Sequence, residues 1–229
     1  GELVHMHSLD QNGFTQKAEQ PGLEGKIYRT IRKIAEENCD EILDRFPSVM
    51  RRVSGYNLDA FVDPNTPKNM SDIVVGSEGT LCTVVQAKLN LVKIPACKGL
   101  VAVHFADLNE SLEANIEALK TEPSSVELTD KLLLDLTGDS IEHAPRRRFL
   151  EGEPEALLFI EYYAENFQDL NNKMNDLESR LREKNMGYAF VRALSSKDQA
   201  NMWALRKAGL GLLMGMKGDA KPTSGVEDI

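Results

Sequence analysis

The order of the apolar segments after residue 99 limits the fold of this chain more than any other part of its sequence. Short runs rich in branched and aromatic residues predict strands, and apolar residues that recur every three or four positions predict helices. Strand-like and helix-like segments alternate along this part of the chain, at residues 100–105, 108–120, 124–129, 130–136, 156–163, 166–184, 188–193 and 196–216. The sequence therefore predicts an α+β structure for this region.

The alternation repeats strand, helix, strand and helix, which is typical of a ferredoxin-like sandwich. Its longest helix has an apolar stripe that is too short for a coiled coil and is followed at once by a strand, so we expect it to pack on the sheet. That stripe consists of Leu170, Met174, Leu177 and Leu181, and the helix at 108–120 has Leu112, Ile116 and Leu119 on one side. We expect one face of the sheet to carry the helices and the other to be free to cover a ligand of the preceding domain.

The part of the chain before residue 96 has a different pattern. Residues 26–46 carry apolar side chains at helical spacing, and Pro47 is expected to end that helix. Residues 73–75 read as a short strand, residues 81–91 are rich in strand-forming residues, and residues 94–99 resemble a linker. We therefore expect two domains, 1–95 and 96–229.

A turn with two glycines lies between the predicted strands of the first domain. Residues 76–81 read Gly-Ser-Glu-Gly-Thr-Leu. Glycine tolerates positive φ and lets backbone amides approach an anionic group closely, and the hydroxyls of Ser77 and Thr80 are further donors. Taken alone, a turn of this kind is more often a simple tight connection, so its function depends on the segments around it.

Those surrounding segments resemble a known family. Residues 54–58 read Ser-Gly-Tyr-Asn-Leu and precede the Gly-Ser-Glu-Gly-Thr-Leu turn. This ordered pair of motifs resembles the FAD-linked oxidase family, which includes the flavin subunit of glycolate oxidase, D-lactate dehydrogenase and D-2-hydroxyglutarate dehydrogenase. The segments at 51–59 and 205–219 are most similar to the long members that add a C-terminal iron–sulfur module.

The resemblance implies a fold and a cofactor. Residues 1–95 would be the second half of a vanillyl-alcohol-oxidase-type FAD-binding domain, and residues 96–229 a ferredoxin-like substrate or cap domain that is incomplete at its C-terminus. The chain would then be an internal fragment that by itself binds FAD weakly or not at all. The residues implied to line the flavin are Ser54, Gly55, Tyr56, Asn57, Gly76, Ser77, Glu78, Gly79 and Thr80.

The last predicted helix contains the candidate substrate ligand. Arg206 lies beside the apolar stripe of this helix, and an arginine can hold a carboxylate through two parallel hydrogen bonds. Without context, such an arginine more often extends into solvent or pairs with a nearby acid. The Leu-Trp-Ala-Leu-Arg segment of the family implies that Arg206 binds the substrate carboxylate. Lys221 is a second candidate, although alignment on residues 226–229 moves it away from the substrate position.

The remaining polar residues predict no further site. His5 and His7 would share one side of a strand, but two ligands without a third do not make a metal site. His104 lies in an apolar strand and is expected in the core. No residue of the chain is identified as the catalytic base. The chain's three cysteines form no Cys-x-x-Cys pair and lack the spacing of an iron–sulfur module.

Charge and hydropathy exclude several classes of function. The net charge of −9 disfavours nucleic-acid binding, and no segment is apolar enough to cross a membrane. The cysteine pattern fits a reducing compartment. We therefore expect a cytoplasmic protein, or one held at the membrane surface through an electron-transfer partner.

Two functional hypotheses remain. The first, implied by the resemblance, is that the chain is a fragment of an enzyme that oxidises a small anionic D-2-hydroxyacid to the 2-oxoacid, with FAD as the hydride acceptor. The remainder of the flavin domain and an iron–sulfur module would then be its partners within the parent protein. The second is a non-catalytic ligand-binding or interaction module built on the ferredoxin-like half.

Overall fold

A computed structural model describes residues 1–49 and 55–219, which fall into two compact units. The N-terminal unit comprises the described residues up to 89, and the sheet unit comprises residues 90–219. Each unit has its own hydrophobic core, so each is described by itself.

The N-terminal unit is mostly helical. Its core is built around Phe14 and Tyr28, whose rings meet edge to face with centroids 5.1 Å apart. The unit also has a short two-stranded antiparallel ladder, in which Leu9 pairs with Lys68. Its elements are β1 (Ser8–Leu9), α1 (Gln11–Glu19), α2 (Gly22–Glu37), α3 (Cys39–Arg45), a 3-10 helix (Leu58–Phe61), β2 (Lys68–Asn69) and α4 (Ser71–Val74).

Three strands predicted in this unit are absent from the described residues, and one of them is the strand with His5 and His7. The segment at 73–75 lies largely in the helical turn α4, and residues 81–91 form no regular structure. Val84, Val85 and Leu89 are exposed. A strand needs a hydrogen-bonding neighbour, and within the described ranges 1–49 and 55–219 no strand pairs with this segment. The strand predictions were therefore wrong, because they rested on residue type alone.

The sheet unit contains one four-stranded antiparallel sheet, flanked by helices. The strands lie in the order β4-β5-β3-β6, so consecutive strands along the chain are not all neighbours. This is the strand arrangement of the split β-α-β units predicted from the sequence, and the α+β class is confirmed. Its elements are β3 (Cys97–Phe105), α5 (Leu108–Leu119), β4 (Ser125–Asp130), α6 (Lys131–Gly138), a 3-10 helix (Ala144–Phe149), β5 (Ala156–Ala164), α7 (Phe167–Glu183), β6 (Ala189–Ala193), α8 (Ser196–Lys207) and α9 (Gly209–Met214).

Side-chain caps fix where three of these helices begin. Asp107 accepts a hydrogen bond from the backbone of Glu110, and Asn166 accepts one from Asp169. Ser195 does the same with the backbone of Asp198 at the start of α8. Each cap satisfies a backbone donor that the first helical turn would leave without a partner.

The first face of the sheet is covered by α5 and α7. All four apolar residues of the predicted stripe in α7 are buried against this face, so the prediction of packing on the sheet is confirmed. Gly99 makes this approach possible, because a Cβ at that position would lie 2.9 Å from the sulfur of Met174. The main contributors from the strands are Val101, Val103, Phe105, Leu158, Ile160 and Tyr162.

The face of helix α5 that packs on the sheet is not the one that carries its leucines. It buries Ala114 and Ala118 against the sheet, while Leu112, Ile116 and Leu119 are 50%, 61% and 57% exposed. Small residues allow the helix backbone to approach the large buried side chains of the first face, such as those of Phe105 and Tyr162. The apolar side of α5 seen in the sequence therefore points outward.

The second face of the sheet is also largely covered, which corrects the expectation that it would be free. Leu134 of α6 and Met202 and Leu205 of α8 pack against Leu100 and Phe159 of the central strands. The centre of this face is apolar, with Leu100, Leu157 and Phe159 among its buried residues, so leaving it bare would expose hydrophobic surface. Its more polar end, where β4 and β5 carry glutamates, has an open depression.

His104 is a core residue, as predicted, and it holds a surface loop in place. Its side chain is fully buried on β3, and its Nε2 atom accepts a hydrogen bond from the backbone of Glu151 at 3.2 Å. The hydroxyl of Tyr188 donates to the carbonyl of the same residue at 2.8 Å. Burial lowers the pKa of His104 below its ordinary value of 6.5.

We expect the stability of the chain to fall as the pH drops below about 6.5, because the unfolded state then binds a proton that folded His104 resists. A lowered pKa contributes stability above the unfolded value, and that contribution is lost as the pH falls toward the folded value. The free energy of unfolding, measured by urea titration between pH 7 and pH 5, should decline less in His104→Gln than in the wild type. Parallel pH curves for the two proteins would contradict this role of His104.

Candidate functional site

The two glycines of the turn in the N-terminal unit have the positive φ that their residue type favours, and Glu78 between them has it as well. Gly76, Glu78 and Gly79 have φ values of +82°, +50° and +75°. The backbone N–H of Thr80 donates to the carbonyl of Ser77 at 3.0 Å and closes a four-residue turn around Glu78 and Gly79. Positive φ at both central residues is the requirement of a type I′ turn. Glu78 is the one non-glycine of this turn in the left-handed region, which costs backbone energy.

Asn57 fixes this turn to the rest of the unit. Its Nδ2 atom donates to the backbone carbonyls of Asp72 at 3.0 Å and Val75 at 3.2 Å, on either side of the end of α4. The backbone N–H of Ser77 donates to Val74 at 3.1 Å, and the side chain of Ser77 is buried. Asn57, one of the residues that the resemblance implies to line the flavin, therefore positions the glycine turn through its Nδ2 group.

The structure brings the two motifs of this unit together. The hydroxyls of Tyr56 and Thr80 are 2.9 Å apart, although the residues are 24 positions apart in the chain. The Thr80 hydroxyl donates to the carbonyl of Ser77 at 2.6 Å, so the Tyr56 hydroxyl is the donor in the contact between the loops. Ser54, the first residue of the Ser-Gly-Tyr-Asn-Leu motif, lies outside the described residues.

Both loops present bare backbone to the outside of the unit. Gly55 and Gly79 have positive φ, and among the described residues a Cβ on either would meet no atom within 4 Å. Among the described residues, the backbone N–H groups of Glu78 and Gly79 have no acceptor. Free amides beside an uncovered glycine surface fit an oxygen-rich or anionic group, such as the phosphate or ribityl part of FAD. The side chain of Glu78 carries a charge that a phosphate would repel.

The sheet unit has its own candidate site at the polar end of the second face. A shallow depression of about 280 Å³ is lined there by Glu127, Glu161, Trp203, Arg206 and Lys207. We refer to these residues as the second-face depression. The glutamates come from the neighbouring strands β4 and β5, and the other three residues come from α8.

Packing of α8 places Arg206 at this depression. Met202 and Leu205 are buried in the core of the second face, and Trp203 lies with its ring 6.2 Å from that of Phe159. Arg206 follows Leu205 directly, so its side chain leaves the helix at the edge of the buried surface. Sequence reasoning therefore placed it correctly relative to the apolar stripe.

Arg206 is paired with Glu127. Its Nε and Nη2 atoms donate to Oε2 of Glu127 at 3.1 and 2.7 Å. The side chains of Arg206 and Glu127 are 42% and 35% exposed, so water partly screens this ion pair. Pairing with a nearby acid was one of the alternatives that the sequence left open, and the structure shows this pair. Lys221, the second candidate substrate ligand, lies outside the described residues.

Glu161, with Tyr163 and Lys98, forms a second polar group beside the Arg206–Glu127 pair. The Glu161 carboxylate raises the pKa of Tyr163 by hydrogen bonding, and Lys98 places its Nζ atom 4.9 Å above the ring of Tyr163. Sequence reasoning missed Glu127 and Glu161. The alternation of residues 125–130 was the available signal, because it puts Glu127 on the opposite side of its strand from Val126 and Leu128.

The structure provides no metal site among its described residues. Groups of three or more potential ligands do not occur within ranges 1–49 and 55–219, and the segment with His5 and His7 forms no strand. Cys39, Cys82 and Cys97 are free cysteines. The described helices are too short or too polar to span a membrane.

Comparisons with known proteins show the family of the chain. The family described as FAD linked oxidases, C-terminal domain, matches residues 94–229, which is more than half of the chain. D-2-hydroxyglutarate dehydrogenase of Pseudomonas putida is 27% identical over 236 residues, covering 100% of this chain and 23% of that protein. The enzymes of the same name from Haemophilus influenzae and Escherichia coli are 30% and 28% identical, each covering 89% of this chain and 21% of the relative.

The chain thus spans about a fifth of the length of the curated relatives that it matches. The match covers all of the described sheet unit beyond residue 93, including the strand and the helix that carry Glu127 and Arg206. On this evidence, the chain belongs to the family of FAD-linked oxidases.

Proposed function

We propose that the longer protein to which this chain belongs is an FAD-dependent dehydrogenase that oxidises a small D-2-hydroxyacid to the 2-oxoacid. The family membership and the names of the relatives support this reaction class. The observation that carries the proposal is Arg206, which stands at an open depression with part of its guanidinium still available for a carboxylate. D-2-hydroxyglutarate is the first substrate to test, because the relatives are named for it.

The proposed role of Arg206 follows from its hydrogen-bonding capacity. A guanidinium has five N–H groups, and two of its nitrogens each give one to Glu127. Among the described residues, Nη1 has no acceptor, so this end of the group can take a carboxylate through two parallel hydrogen bonds. The positive charge of arginine persists at every relevant pH, which suits a permanent anchor for an anionic substrate.

The proposed role of the two loops is to hold the cofactor. FAD, when bound, supplies the acceptor for the hydride removed from the substrate carbon. Gly55 and Gly79 would let backbone lie against it, and the N–H groups of Glu78 and Gly79 would donate to its oxygens. Tyr56 and Thr80 keep the two loops in contact. Ser54 and Lys221 remain proposed ligands of flavin and substrate from their positions in the sequence.

The cellular location of the enzyme and its partners are also proposals. We infer a cytoplasmic location, supported by three cysteines that remain unpaired in the described structure. Contact with a membrane would occur through an electron-transfer partner. We propose an iron–sulfur module in the parent because residues 51–59 and 205–219 resemble the long members of the family that carry one.

The alternative function, a non-catalytic binding module, is favoured by the ion pair that already engages Arg206. In this alternative the guanidinium has a structural role and no substrate contact. The two functions differ in what removal of Arg206 does to turnover, so one substitution separates them.

We expect Arg206→Ala in the full-length, FAD-loaded protein to lower kcat/KM for D-2-hydroxyglutarate by about 100-fold. A charge-assisted hydrogen bond contributes roughly 1.5–3 kcal/mol, which corresponds to this range. Initial rates of flavin reduction measure the effect. Arg192→Ala is the matched control, because it removes an arginine paired with Glu178 elsewhere in the same sheet unit. Turnover that survives in Arg206→Ala would favour the binding-module alternative.

We expect Gly79→Ala to weaken FAD binding by the full-length protein about tenfold, because the new methyl group would occupy the open surface on which the cofactor is proposed to lie. Titration of the flavin-free protein with FAD, followed by fluorescence quenching, measures this dissociation constant. Gly152→Ala is the control, since Gly152 also has positive φ but belongs to the sheet unit. Both variants carry a similar backbone strain of about 1–2 kcal/mol. Equal FAD affinity in the two variants would exclude a role of Gly79 in the flavin site.

A further inference from the structure

The second-face depression contains a carboxylate whose function the proposed reaction does not explain. Glu127 is the acid nearest to the guanidinium of Arg206. Its carboxylate accepts two hydrogen bonds from Arg206, and both donors lie on the same side of the guanidinium. A negative charge beside a proposed anion-binding residue needs an explanation, since it reduces the net positive charge of the site.

Glu127 is held on a rigid element. It lies on β4, where it faces Phe159 of β5 in the antiparallel ladder. Its neighbours Val126 and Leu128 point to the other face of the sheet, so the direction of the Glu127 side chain is fixed by the pleat. Arg206 lies near the end of α8, and its long side chain has many rotamers. The ion pair therefore fixes a flexible group to a rigid one.

We propose that Glu127 is a positioning residue, which orients the guanidinium of Arg206 for the substrate carboxylate. This inference rests on the proposed function of Arg206. Glu127 occupies the N–H of Nε and one N–H of Nη2. The other end of the guanidinium is therefore left for substrate, and it carries both hydrogens of Nη1 and the second hydrogen of Nη2. That end presents two parallel N–H groups, the arrangement that matches the two oxygens of a carboxylate.

Two opposite effects of Glu127 on substrate binding can be compared. Its charge repels an anionic substrate, and its hydrogen bonds remove the rotamer freedom that Arg206 would otherwise lose on binding. Both side chains of the pair are more than a third exposed, so water screens the repulsion strongly. The ordering of a rotamer-rich side chain is not screened, and orientation is therefore the larger effect.

The test uses the full-length, FAD-loaded protein with D-2-hydroxyglutarate as the probe. Glu127→Ala should raise KM by about tenfold and leave kcat within about twofold. The substitution removes the contact that orients Arg206 for substrate binding, and it changes no atom that reacts. Glu127→Gln retains an oxygen that accepts from Arg206, so its KM should rise by only about threefold. Glu178→Ala, which breaks the Arg192–Glu178 pair of the same sheet unit, should leave KM unchanged.

A double variant separates failure of this inference from failure of the proposed function. In an Arg206→Ala background, adding Glu127→Ala should change kcat/KM by less than about twofold, since the residue that it orients is gone. If Arg206→Ala lowers kcat/KM but Glu127→Ala leaves KM unchanged or lowers it, the positioning role is overturned and the proposed function stands. If Arg206→Ala itself leaves kcat/KM unchanged, both are overturned.

Discussion

The pairing of β3 with β5 is the constraint on which the sheet unit depends. The two strands pair over nine residues, from Cys97 with Ala164 to Phe105 with Ala156. Their side chains alternate between two faces with apolar centres, and most of them are buried. A ladder that is apolar on both faces must be covered on both, so helices are required on each side. The helices of the second face therefore follow from the composition of the strands.

The need to cover the second face also determines the position of Arg206, the candidate substrate-binding residue. Because α8 must bury Met202 and Leu205 on the second face, the next residue, Arg206, reaches the edge of the covered area. Strand β4 brings Glu127 to the same edge. A charged pair is tolerated there since water still reaches it, whereas the same pair within the core would carry a large desolvation cost. The chemistry of the depression depends on this incomplete coverage.

The sequence predicted local features of the candidate sites well and their partners poorly. The turn at residues 76–80 was foreseen from its glycines, because positive φ is a property of single residues. Arg206 was foreseen from the apolar stripe beside it. The contact of Tyr56 with Thr80 and the pairing of Glu127 with Arg206 join residues 24 and 79 positions apart, and no local pattern reports such contacts. The donation of the Asn57 amide to the carbonyls of Asp72 and Val75 at the end of α4 is a further contact that the sequence did not predict.

The residue pattern was sufficient to predict the order of the four strands and of the helices between them, the α+β class and the positive φ of the two glycines in the turn. These properties follow from periodicity and backbone preference, which act over a few residues. The last predicted helix, 196–216, is divided in the structure into α8 and α9. Three features could be seen only in the folded chain: α5 buries its alanines and exposes Leu112, the second face is covered, and residues 81–91 form no strand. Each of these depends on which surface is available as a neighbour, because burial and strand pairing are properties of two segments in contact.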